Sequence, residues 1–107
     1  MILEVAEFRI DPARRADFEA ALQRGAATVV AMAAGYHGHA ILRCVESEDR
    51  YLLHARWSSV EAHNVGFRGS PAFADWRAIA GPFFAASPVV AHHEWVADAI
   101  RAPRELT

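Results

Sequence analysis

Hydrophobic and polar positions alternate in four short stretches of the chain and recur at helical spacing in two others. Met1 to Ile10 is rich in Ile, Leu, Val and Phe and predicts a strand. Asp11-Pro12 follows, a capping residue and then proline at a first helical position. Phe18, Leu22, Gly25, Val29 and Met32 then repeat as one helical stripe, and Gly35 is a natural stop. Gly25 on that stripe predicts a helix lying close to the sheet. His37 to Val45 reads as a second strand, Glu46 to Asp49 as a polar turn, and Arg50 to Trp57 as a third strand. Ser58 and Glu61 have the S-x-x-E spacing of a capping box, and Val60, His63 and Phe67 share a helical face. Gly69 breaks that helix and Ser70-Pro71 starts another, with Phe73, Trp76 and Ala80 inward. Gly81-Pro82 ends it, and Pro88 to Val96 is the last strand.

The order β-α-β-β-α-β predicts an α+β, ferredoxin-like plait: a four-stranded antiparallel sheet with two helices on one face. The domain is expected over residues 1–97, with a polar tail over 98–107. In the third strand Tyr51, Leu53, Ala55 and Trp57 share one side, while Leu52, His54 and Arg56 share the other. In the last strand Val90, His92 and Glu94 oppose Val89, Ala91, His93 and Trp95. The open sheet face would carry large apolar residues and needs cover. A second copy about a two-fold axis is the economical solution, so a homodimer with facing sheets is expected.

Composition narrows the function. The chain has 107 residues and a formal net charge of −2, enough for one domain with a real core. Basic residues are scattered, which argues against nucleic acid as a partner. No apolar run reaches membrane-spanning length and no signal-peptide pattern follows Met1, so a cytoplasmic protein is expected. Cys44 is the single cysteine, read as a small buried hydrophobe. All 11 basic residues are Arg, which excludes amine chemistry by lysine. No phosphate-cradling loop, dinucleotide fingerprint or nucleophile elbow is present.

The chemistry concentrates between Arg56 and Pro88. His63 can take a phenolic proton near neutral pH, and helical phase turns it between helix and sheet. Trp57, Phe67, Phe73, Trp76, Phe83 and Phe84 supply flat walls for a planar polycycle, or simply a core. The indole N–H groups of Trp57 and Trp76 need partners, which a ligand oxygen would supply. His37 and His39 share a strand face and invite a metal reading, with His92 or His54 and Glu4 or Glu94 completing the set. The plainer reading pairs these histidines with Glu4, Glu94 or backbone at the dimer interface. Arg43 and Arg56 alternate into strands and are read as interface pairs with Glu4 or Glu94.

These residues together resemble the antibiotic biosynthesis monooxygenase (ABM) domain family. The resemblance covers Met1 to Val96. It is carried by Trp57-Ser58, Glu61-Ala62-His63, Phe67, Ser70-Pro71 with Phe73, Pro82-Phe83 and the Val90-x-His92 pattern. It implies a dimeric α+β barrel. Against the cofactor-free anthrone and quinol oxygenases of that family, Trp57 and His63 match a strand-ending Trp and a polar aromatic of the second helix. Leu53 stands where an Asn is expected. Against the haem-degrading branch, Phe8, Gly66 and Trp76 depart from an Asn, a Trp and a ligating His.

The resemblance therefore implies a cofactor-independent monooxygenase acting with O2 on an electron-rich aromatic or quinol-type small molecule. His63 would be the base, Trp57 the positioning donor, and Leu53, Phe67, Phe73 and Trp76 the pocket, with neither metal nor cofactor. The alternative is a non-enzymatic module of the same fold that holds a small ligand.

Overall fold

The computed structural model describes residues 1–100. Four strands, β1 (Ile2–Arg9), β2 (Tyr36–Arg43), β3 (Arg50–Trp57) and β4 (Val89–His93), form one antiparallel sheet in the order β2-β3-β1-β4. Two main helices, α1 (Arg15–Thr28) and α2 (Pro71–Ala80), cover one face. The ferredoxin-like plait read from the sequence is the observed fold. Of the expected tail, residues 101–107 lie outside the described residues, and Asp98–Ile100 has no regular structure.

Strand phase decides which side chains enter the core. In β1 the inward set is Ile2, Glu4, Ala6 and Phe8; in β3 it is Tyr51, Leu53, Ala55 and Trp57. Phe18 and Leu22 of α1 pack onto them with no exposure. Burying one such side chain stabilises the fold by about 1.5–3 kcal/mol. The opposite face holds Leu3, Val5, Leu52, His54 and Leu42 without cover in the single chain.

Several local expectations change. Asp11 caps a short 3-10 turn (Pro12–Arg14) through its side chain before α1 begins. Helix α1 ends at Thr28 and a 3-10 turn (Val30–Met32) redirects the chain, so Val30 is buried and Met32 is 79% exposed. Gly25 faces α2 rather than the sheet. A Cβ there would lie 3.0 Å from the Trp76 ring, so the missing side chain is what admits the indole. Gly35 holds φ +84°, as a helix stop requires. The cap of the next helix is Ser59, whose Oγ accepts from Ala62 N at 3.1 Å. Ser58 instead donates to Gly35 O, and its backbone N–H does the same. Cys44 is half-buried, and β4 stops at His93, short of the expected Val96.

Arg43 also corrects an expectation. It lies on an exposed edge and grips Glu19 of α1 through two hydrogen bonds of 2.8 and 2.6 Å. Tyr51 donates to the same carboxylate. With three donors, the Arg43 guanidinium first among them, Glu19 is held down at about 2. Arg56 packs its guanidinium over the Trp95 ring at 5.5 Å and pairs with neither Glu4 nor Glu94.

Candidate active site

The segment after β3 is not a regular α-helix. Residues Ala62–Phe67 form a π-helical turn, and Arg68 N donates to His63 O across five residues at 2.9 Å. Such turns insert one extra residue and recur at functional sites. Here His63 and Phe67 stay on the inward side and are 3% exposed each. They build a stack with Trp57: ring centres are 5.1 Å apart for Trp57–His63 and 5.7 Å for Trp57–Phe67. Phe73 meets Phe67 edge-on at 5.7 Å.

Beside this stack lies a cavity of about 290 Å³ between the sheet and the helical layer. His63, Leu53, Phe67, Phe73 and Trp76 line it, as the sequence suggested. Trp57 does not; it is fully buried behind His63. The Trp57 indole N–H, offered above to a substrate oxygen, is donated to Glu4 Oε1 at 2.9 Å. The Trp76 indole N–H has no hydrogen-bond partner among the described residues.

Glu4 is the residue whose role the sequence reading missed. It is 5% exposed and lines the cavity. The signal was available, because Glu4 occupies an inward position of β1 between Ile2 and Ala6. A carboxylate there breaks an otherwise apolar alternation. Oε1 accepts the Trp57 indole N–H, and His63 Nε2 lies 3.2 Å from the same oxygen. Oε2 has no protein partner and is not sealed from open space.

His63 Nδ1 and His92 Nε2 share a hydrogen bond at 2.8 Å, while His63 Nε2 faces Glu4 Oε1 at 3.2 Å. Register sets this up, since Glu4 and His92 are paired neighbours on β1 and β4.

Burial dominates the electrostatics. It pushes the Glu4 carboxyl up to about 7, against the pull of the Trp57 N–H and the Arg68 charge. It pushes His63 down to about 4, helped by His92 and Arg68. His92 is lowered for the same reason, with Arg68 and His93 adding to it. At neutral pH both rings are uncharged, so the Glu4–His63 contact is not an ion pair.

The metal reading does not assemble. Strands β2 and β4 are opposite edges of the sheet, about 14 Å apart by strand spacing. His37 and His39 therefore do not meet His92. His37 Nε2 pairs with Ser58 Oγ and His39 Nδ1 with Tyr36 OH. Nor do Glu4 and His92 serve an interface through the open face; both point toward the helices. Among the described residues no group of three or more His, Cys, Asp and Glu is arranged to hold a metal ion. No helix among them is long and apolar enough to cross a membrane.

Comparison with known proteins agrees with this frame. The family model described as antibiotic biosynthesis monooxygenase matches residues 1–79. An uncharacterized Bacillus subtilis protein, YczJ, is 34% identical over 94 residues, 88% of this chain and 98% of the relative. A Bordetella bronchiseptica structure assigned to the antibiotic biosynthesis monooxygenases superposes with a TM-score of 0.84. It is 38% identical, over 90% of this chain and 97% of that one. SnoaB, a cofactor-independent oxygenase from Streptomyces nogalater solved as a mutant, shares the fold. Its TM-score is 0.72 at 20% identity, over 91% of this chain and 94% of that one. By its sequence match and its fold, the chain belongs to the antibiotic biosynthesis monooxygenase family.

Proposed function

We propose that the protein is a cofactor-independent monooxygenase acting on an electron-rich aromatic or quinol-type small molecule. Its base is the Glu4 carboxylate, held by Trp57 and flanked by His63. Three things support this reading: membership of the family, the flat aromatic walls of the cavity, and the oxygenase SnoaB on the same fold. The single observation that carries it is Glu4, a carboxyl with one oxygen fixed and the other open on an apolar cavity.

In the proposed reaction Glu4 Oε2 takes a proton from the substrate. The anion gives one electron to O2, and the radical pair combines to a peroxide anion, which takes the proton back from Glu4 to become a hydroperoxide. Loss of water leaves a quinone, so one oxygen atom enters the product and the other departs in water. The protein supplies a base whose pKa lies near the operating pH, orientation and a dry slot. His63, pushed down to about 4 by burial and with Nδ1 paired to His92, is the weaker base, and its part is to flank Glu4 Oε1. Trp57 fixes Oε1. The Trp76 N–H is the donor available to a substrate oxygen, and Leu53, Phe67 and Phe73 are the walls. The open sheet face fits a second copy of the chain; a dimeric mass at micromolar concentration is the expected result, and a monomeric one removes the dimer.

The test is oxygen uptake with an anthrone and a panel of quinols, corrected for autoxidation. Wild type should show saturable uptake. Glu4→Gln should lower it by about 10²–10⁴-fold, and His63→Ala should lower it less. Uptake indifferent to Glu4→Gln would discard the base. Background uptake throughout, with tight binding of a panel compound, would favour a non-enzymatic binding module.

A further inference from the structure

The cavity has a buried inner end and a charged mouth. Glu4 is buried at the inner end, on a central strand, whereas Arg68 and Arg77 line the same cavity and are exposed. Arg77 also borders the shallow groove outside, against residues 84–88, so its side chain stands at the rim. The backbone that builds the walls places both arginines. Phe73, Trp76 and Arg77 share one face of α2, at i, i+3 and i+4. Arg68 follows Phe67 directly at the end of the π-turn.

Neither arginine is answered by an acid. Arg9, Arg15, Arg43 and Arg50 each pair with an Asp or Glu, but among the described residues no carboxylate pairs with Arg68 or Arg77. Arg68 lies over the Phe73 ring, with its guanidinium carbon 5.6 Å from the ring centre, a contact that uses none of its N–H groups. Its charge is felt at Glu4, His63 and His92. Glu4 is a weak counter-charge, because burial keeps it partly protonated near pH 7. The lining thus carries more positive than negative charge, and it does so where apolar walls meet solvent. A single solvated arginine needs no explanation; two at the mouth of one cavity, with no carboxylate between them, leave room for one.

We propose that Arg68 and Arg77 hold the carboxylate of an aromatic acid at the cavity mouth, with the ring inside and its reacting hydroxyl turned to Glu4. This names the substrate class of the site proposed above and rests on that reading for the reaction, while the binding itself needs no turnover. Guanidinium groups match a planar carboxylate with paired N–H donors, and the apolar walls weaken the competition from water. The difference in depth adds a requirement on shape. Glu4 is at the inner end and the arginines at the outer one, so hydroxyl and carboxylate must sit at opposite ends of the ring system. A hydroxyl adjacent to the carboxylate would be kept at the mouth, away from Glu4.

The test is calorimetric binding at neutral pH of 6-hydroxy-2-naphthoate, its carboxamide, and the 3-hydroxy-2-naphthoate isomer. The 6-hydroxy acid should bind about tenfold tighter than either of the others. Arg68→Gln and Arg77→Gln should each remove most of that advantage and leave the carboxamide unchanged. Added salt should weaken the acid and not the carboxamide. Equal affinity for acid and carboxamide, binding of neither, or an advantage that survives both substitutions overturns the proposal. A 3-hydroxy isomer that binds as tightly as the 6-hydroxy acid overturns the end-to-end arrangement. The wild-type comparison decides even if a variant folds poorly. These naphthols report binding and not turnover, so the two readings fail separately. Acid preference without oxygen uptake from any quinol would keep the carboxylate site and lose the monooxygenase. Uptake from neutral quinols without acid preference would do the reverse.

Discussion

The two ends of the core are built from the same sheet face yet behave differently. At one end Phe8, Phe18, Tyr51 and Phe84 pack ring against ring, with Phe8 and Phe84 stacked at 5.1 Å and Phe18 edge-on to Tyr51 at 5.2 Å. Its single polar atom, the Tyr51 hydroxyl, reaches Glu19 at the surface. At the other end Trp57, His63 and Phe67 also stack, but Glu4 and His92 run through them. The first end is a core that stabilises the fold. The second gives up apolar contacts to hold a carboxyl half-protonated next to a cavity. Aromatic content does not separate them; the buried charge at Glu4 does.

The comparison can be broken from either side. Phe18→Ala removes a fully buried ring from the first end and should lower stability by about 3–5 kcal/mol in a urea melt, without moving the Glu4 titration. Glu4→Gln at the second end should act mainly through pH. The folded chain keeps a proton on Glu4 that the unfolded chain releases between 4.5 and about 7. Ionised Glu4 therefore destabilises above 7, by about 3 kcal/mol at most, and the effect fades below 4.5. His63 works the other way. Its folded pKa is depressed to about 4, so its neutral form favours folding above 6.5, and that is lost as pH falls toward 4. The two slopes oppose each other between 4.5 and 6.5. Wild-type stability from these groups should be nearly flat there, whereas Glu4→Gln should gain stability as pH rises through that window. Urea midpoints measured every half pH unit would read this.

Smaller changes sharpen the boundary between the two ends. Gly25→Leu pushes into the Trp76 ring and should cost about 1–3 kcal/mol by overpacking. It should also shift Trp76 fluorescence and weaken ligand binding, because that ring is a cavity wall. Ser59→Ala removes the cap before the π-turn and should cost about 1 kcal/mol in the same melt. A larger loss in Ser58→Ala than in Ser59→Ala would contradict the assignment of the cap.

The plait was legible because alternation is a direct record of burial in strands. Residues Arg50–Trp57 show it without a break, and the observed strand has those bounds. Helical phase turned His63, Phe67, Phe73 and Trp76 inward and the family resemblance singled out Leu53; all five line the cavity. The π-turn was not legible, since no residue type marks an extra residue per turn; His63 and Phe67, four apart, kept a common side through it. Trp57 lies behind the cavity with its N–H on Glu4, a partner 53 residues away in sequence that local pattern does not reveal. Reading Glu4 required phasing β1 as strictly as β3, after which a lone carboxylate between Ile2 and Ala6 stands out. Arg43 was misjudged for a related reason: its partner Glu19 belongs to the helix layer, and only the packing of α1 on the sheet brings them together.

The most direct measurement is the titration of the Glu4 carboxyl itself, by ¹³C NMR of labelled glutamate with Glu4→Gln to assign the signal. A carboxyl that titrates near pH 7, and whose signal vanishes in the variant, is what burial beside the cavity predicts. A Glu4 signal that titrates near 4.5, as a solvated carboxylate would, contradicts the account at its centre.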